Sequence, residues 1–148
     1  MTSLKTLTAA LALAAPLALG VIAPAAHAQE ALGDLTLTFP DLKAKTGQVM
    51  IAVYDSAQGW ASGKPVRAAS ASAAAPTVKI VALPAGTYAV RAFQDVDDDG
   101  KMGKNPFGMP TEPFGFSNDA PVMMGPPSFD AAAFAVKAGA NAQAIHLN

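Results

Sequence analysis

Four carboxylates fall within five residues at Asp95-Val96-Asp97-Asp98-Asp99-Gly100, in the order of a loop that wraps a hard cation. Calcium takes six to eight oxygens in a flexible shell, and D-x-D-x-D-G is the first half of such a loop, its glycine allowing the sharp turn. By loop position Asp95, Asp97 and Asp99 each supply a carboxylate oxygen, Lys101 supplies its carbonyl, and Asp98 points to solvent. A solvated acidic turn is the competing reading, because Asp also hydrogen-bonds its own backbone. A bare turn needs only one or two carboxylates, however, and a cation would relieve the repulsion among four. The EF-hand pattern stops at its twelfth position, where Pro106 stands in place of a bidentate Glu. A closing ligand must then come from further along, from Glu112, Asn118 or Asp119, with Asn105 a weaker candidate. The expected ion is calcium rather than magnesium. Zinc and iron fit poorly, since the chain has no Cys and only His146 beyond residue 28.

Other chemistry is thinly represented. His146, between Ile145 and Leu147, reads as a solvent-facing strand residue rather than the base of a Ser-His-Asp triad, and no Gly-x-Ser-x-Gly element is present. A carbohydrate-active or other hydrolase using Glu112 with the aspartates is the alternative function, although adjacent Asp residues suit an ion better than two separated catalytic roles. Met102, Met109, Met123 and Met124 suggest gap-filling more than copper ligation. The stretch 105–129 holds Phe107, Phe114, Phe116, Phe129 and six prolines, too apolar to lie open in water. It is expected to pack as a lid over one end of the fold. The sharper reading is an exposed binding surface built on Phe107, Phe114 and Phe116, with Trp60 a further candidate.

The elements that would position these residues are strands. Residues 35–39 alternate apolar and polar, as does the run ending at Met50-Ile51-Ala52-Val53-Tyr54. A turn over 43–47 joins them, and 55–65 is a longer connection. Residues 66–74 read as a weak edge strand. Residues 77–83 and 87–93 flank Pro84-Ala85-Gly86 and are expected to form a hairpin that delivers the Asp cluster at its far end. On the second of these strands Arg91 shares a face with Ala89 and Phe93. Residues 133–136 and 144–147 around a Gly/Asn turn at 137–141 are expected to form another hairpin, and Ser128 to cap a helical turn over 128–132. About seven short strands predict an all-β, antiparallel sandwich, with a barrel as the other possibility.

Residues 1–28 carry Lys5, an apolar run over 7–23 and Ala26-His27-Ala28, the pattern of a cleaved export signal. Pro16, Gly20 and Pro24 interrupt that run, which argues against a membrane anchor, and no later segment is long enough to span a bilayer. The mature product is expected to be residues 29–148, one β-sandwich domain in the periplasm or outside the cell. Of the 10 basic and 11 acidic residues only Lys5 leaves with the signal, so the mature net charge is 9 minus 11, or -2. Near-neutrality with scattered basic residues offers no footprint for nucleic acid. The expected partner is an envelope protein, a peptide or a glycan.

Three blocks carry a resemblance: Asp95-Val96-Asp97-Asp98-Asp99-Gly100-Lys101, then Phe107-Gly108-Met109-Pro110-Thr111-Glu112-Pro113-Phe114-Gly115-Phe116-Ser117-Asn118, then Gly125-Pro126-Pro127-Ser128-Phe129. Together they resemble the domain of unknown function 2141 family of small exported bacterial proteins, over essentially all of the mature chain. The resemblance implies a β-sandwich of the transthyretin or carboxypeptidase-regulatory type, in which a Leu-Pro-x-Gly-x-Tyr turn like that at 83–88 recurs, and it implies no activity. Gly103 departs from it, standing where such sequences often carry an acidic residue, which implies weaker ion binding.

Overall fold

Alternation in the sequence becomes two stacked sheets in the computed structural model, which describes residues 30–148. The expected export signal lies outside the described residues. Eight strands form rather than seven: β1 (Leu32–Thr38), β2 (Gln48–Tyr54), β3 (Arg67–Ser72), β4 (Thr77–Pro84), β5 (Gly86–Asp95), β6 (Phe114–Phe116), β7 (Phe134–Val136) and β8 (Gly139–Ala144). The strand not foreseen is β6, three residues inside the Phe/Pro-rich stretch that pair with Arg91, Ala92 and Phe93 of β5. A three-stranded sheet has the order β4-β1-β8, and a five-stranded sheet the order β3-β2-β5-β6, with β7 also on β5.

The period of two sends Leu35 and Leu37 of β1, Val49, Ile51 and Val53 of β2, and Val90 and Ala92 of β5 into one core with Ile80, Leu83, Ile145 and Leu147. Each fully buried Val, Leu or Ile of this set contributes about 1.5–3 kcal/mol relative to exposure. The opposite face of the five-stranded sheet is covered as well. Helix α1 (Ala57–Ser62) forms inside the expected connection 55–65, because Ser56 Oγ accepts from Gly59 N and Gly63 closes the other end in the left-handed conformation. It presents Trp60 to Tyr54, Ala89, Phe116, Ala120 and Ala132, a second buried cluster. The short helix α2 (Phe129–Ala132) completes that cluster and is capped by Ser128, as its sequence indicates.

Both expected hairpins are absent, for the same reason. Strand β4 pairs with β1 and β5 with β2, so Pro84-Ala85-Gly86 carries the chain from one sheet to the other instead of folding it back. Tyr88 Oη donates to Pro84 O at 2.8 Å and Ala85 N to Ala31 O at 2.7 Å, which ties down this corner. Likewise β7 lies on β5 while β8 runs parallel to β1, so 134–144 also crosses between sheets, and the three-stranded sheet is mixed rather than purely antiparallel. Strand β8 begins at Gly139, within the expected turn. Asn141 holds that crossing, its side chain accepting from Lys137 N at 2.9 Å and donating to Lys137 O at 2.7 Å. Proline and glycine mark a change of direction, but a corner between sheets and a hairpin ask for the same turn chemistry.

Candidate cation site

Strand β5 ends with two buried polar residues, Gln94 and Asp95. Gln94 Nε2 donates to Ala44 O at 3.0 Å and Thr46 O at 2.9 Å, pinning the β1–β2 connection against the start of the acidic loop. Gly47 takes φ +73° there and packs so closely that a Cβ would lie 1.9 Å from the Asp95 carbonyl oxygen. The loop then folds on its own carboxylates. Asp95 accepts from Asp99 N at 3.1 Å and Gly100 N at 2.9 Å, Asp97 from Asp99 N at 3.3 Å, and Asp99 from Lys101 N at 2.7 Å. Asp98 and Gly100 adopt positive φ, which Asp tolerates and Gly takes freely.

One carboxylate oxygen from each of Asp95, Asp97 and Asp99 lies within 4.8 Å of the others. That spacing fits a single ion, since oxygens about 2.4 Å from a common calcium can stand at most about 4.8 Å apart. Asp95 is 2 % exposed, and no cation of the described residues comes within salt-bridge distance of it. Burial of a carboxylate with backbone N–H partners alone leaves its charge uncompensated, a condition a divalent ion would remedy.

The other expected ligands are placed differently. Glu112 reaches the loop, but its two oxygens accept from Val96 N and Gly103 N, each at 2.8 Å, so it buckles the loop's two ends together. Lys101 sits in the loop with its N–H on Asp99. Asn118 is at the far end of the sheet, donating to Ala133 O at 2.7 Å. Because Phe116 pairs with Arg91, Asn118 falls about six strand residues from Asp95, roughly 20 Å away, out of reach of the triad. Asn105 instead organises a tight tip, accepting from Phe107 N at 2.9 Å and Met109 N at 3.0 Å. Phe107 stands on that tip 89 % exposed, whereas Phe116 and Trp60 are buried and Phe114 is half-buried. The Phe/Pro-rich stretch therefore divides, with Phe114 and Phe116 packed on the outer face of the five-stranded sheet and Phe107, Met109, Met123 and Met124 in water.

A model of an uncharacterised protein family conserved in bacteria, domain of unknown function 2141, matches residues 37–144. The chain belongs to that family. No curated protein and no solved structure matches it. The 2141 family match runs from the end of β1 to the end of β8, and so includes the acidic loop, the Glu112 buckle and the Phe/Pro-rich stretch. At Gly103 a Cβ would meet Thr111 Oγ1 at 2.7 Å, so an acidic residue there requires Thr111 to shift.

Sequence reading missed Gly47, Gln94 and the partners of His146. A polar Gln at an inward position of β5 was the available signal for the second of these. His146 is exposed, as expected, but its backbone N–H and Nδ1 both lie 2.9 Å from the Asp119 carboxylate, binding the C-terminal segment to the 117–119 turn. The His146 backbone N–H holds the Asp119 carboxyl below the usual range; burial opposes it, and the His146 ring adds a smaller lowering effect. A carboxyl depressed in the fold stabilises above its unfolded pKa, about 3.9, and loses that contribution as pH falls through the lower folded value. Asp119→Asn should therefore flatten the acid limb of stability below about pH 4, by about 1 kcal/mol or less because the side chain is half-exposed. Urea unfolding of both proteins across that range measures it; parallel acid limbs would remove Asp119 from the account.

Proposed function

We propose that this member of the 2141 family is an exported, non-catalytic module of the cell envelope whose acidic loop takes a structural calcium ion. The observation that carries this reading is the buried Asp95 carboxylate, unpaired by any cation of the described residues and converging with Asp97 and Asp99 within 4.8 Å. The loop starts at the last residue of β5, and Glu112 fastens its far end to the Phe/Pro-rich stretch. Calcium there would hold that stretch against the sheet, a mechanical role. Three carboxylates, the Lys101 carbonyl and water form its shell. The non-catalytic reading is supported by Glu112, whose oxygens each hold a loop N–H and are poorly placed to act as acid or base on a sugar or peptide.

Export rests on residues 1–28, and no described helix is long and apolar enough to cross a membrane. The rigid tip bearing Phe107 and Met109 is the natural contact for an envelope protein, peptide or glycan, since large apolar side chains held in water mark interaction sites.

Thermal melts in millimolar calcium and in chelator test the ion. With a Kd near 0.1 mM, about 1 mM calcium contributes about 1.4 kcal/mol, which raises the melting temperature by about 5 °C. Asp97→Asn with Asp99→Asn keeps the shape and the hydrogen-bond acceptors while removing two charges, and should abolish the response in a protein that still folds. A wild-type melting temperature indifferent to calcium would refute the proposal.

A further inference from the structure

A cavity of about 490 Å³ lies against the outer face of the five-stranded sheet, away from the acidic loop's carboxylates. Its floor follows from the strand register. Ala68, Ala52, Arg91 and Phe116 stand opposite one another across β3, β2, β5 and β6, and two alanines in that row leave the floor low. Phe93 and Phe114 form the next row, and Met102 and Lys104, which follow the acidic run, and Pro110 of the Phe/Pro-rich stretch also line the cavity. The volume is that of a small-molecule site rather than of a packing defect.

Its charge is one-sided. Arg91 and Lys104 line the cavity, no Asp or Glu does, and neither cation has a salt-bridge partner among the described residues. The Arg91 guanidinium is fixed, 4.0 Å from the Trp60 ring centroid and 5.1 Å from that of Tyr54, with one Nη donating to Trp60 O at 2.8 Å. Its Nε is buried without a hydrogen-bond partner, and its other Nη makes no hydrogen bond within the described residues. A stacked guanidinium with a free Nη beside an apolar hollow is arranged to receive an anion.

We propose that this cavity binds a small molecule with an apolar body and a single carboxylate head, the head on Arg91 near Trp60 and the body over Ala52 and Ala68. The site is independent of the cation proposal and uses none of its ligands. Trp60 is the protein's one tryptophan and reports directly on Arg91. Decanoate titrated into the purified protein should change its emission saturably, with a Kd below about 1 mM. Decanol should bind at least about tenfold more weakly, as expected for loss of one charge-assisted hydrogen bond. Ala52→Leu fills the floor and should weaken decanoate at least about tenfold while preserving the wild-type circular dichroism spectrum. Should that variant not fold, Ala68→Leu, at the exposed β3 end of the same row, fills the floor there instead. No saturable change with decanoate, equal affinity for decanol, or undiminished binding by a folded filled variant would each overturn the proposal.

Discussion

Gly47→Ala is expected to cost more than about 3 kcal/mol of stability and to abolish any calcium response with it. Two effects add. At φ +73° a Cβ carries the left-handed penalty of about 1–2 kcal/mol. It would also lie 1.9 Å from the Asp95 carbonyl oxygen and 2.9 Å from its carbon, so the β1–β2 connection must part from the end of β5. Gln48 and Asp95 are register partners at that end, and Gln94 is anchored to Ala44 and Thr46 beside it, so the displacement reaches the buried carboxylate directly. Gly63→Ala supplies the control. Its φ is +67°, but nothing lies within 4 Å of the added carbon, so it should cost only about 1–2 kcal/mol and leave the loop intact. Urea denaturation of the two variants separates conformation from collision, and equal losses would mean the contact with Asp95 carries no weight.

Trp60→Ala should be as damaging, by about 3–5 kcal/mol, because it empties the centre of the outer cluster. The indole meets Tyr54 edge-on at 5.3 Å, Phe129 at 6.3 Å and Phe116 at 5.8 Å, and its Nε1 donates to Pro127 O at 2.9 Å. Truncation also strips the nearer stacking surface from Arg91, leaving a partly buried charge with the Tyr54 ring at 5.1 Å and one carbonyl. Trp60→Phe keeps most of the apolar area and loses the bond to Pro127, so it should cost about 1–3 kcal/mol. Equilibrium unfolding checks both. An alanine variant within about 1 kcal/mol of wild type would show that the layer outside the five-stranded sheet unfolds separately from the sandwich.

What the sequence disclosed, and what it concealed, follows the reach of each signal. β1, β2, β4 and β5 are legible because alternating burial imposes alternating residues, and the expected edge strand over 66–74 forms as Arg67–Ser72, with 73–74 already in the next turn. Strand β8 was misplaced because Gly139 to Ala144 contain no large apolar residue; it is held by backbone pairing to β1, and the apolar signal sits just beyond it at Ile145 and Leu147. Strand β6 was hidden by its length of three residues and by flanking proline. The acidic loop was legible through local spacing, and Asp95, Asp97 and Asp99 do converge. Its surroundings were not: Asn118 is near in sequence and far in space, whereas Gly47 and Gln48 are distant in sequence and adjacent. Spacing alone cannot say that Glu112 spends both oxygens on backbone N–H groups.

The parallel pairing of β1 with β8 sets a schedule for the molecule. Thr38 lies opposite Ala144, so the strand nearest the start of the described chain completes its sheet only with the strand nearest its end. Closing so long a loop is slow, and until it closes β1 offers an open row of N–H and C=O groups to any extended neighbour. A chain emerging in order from a ribosome cannot complete its three-stranded sheet until residues 139–144 are released. A copy cut before Gly139 carries that unpaired edge permanently.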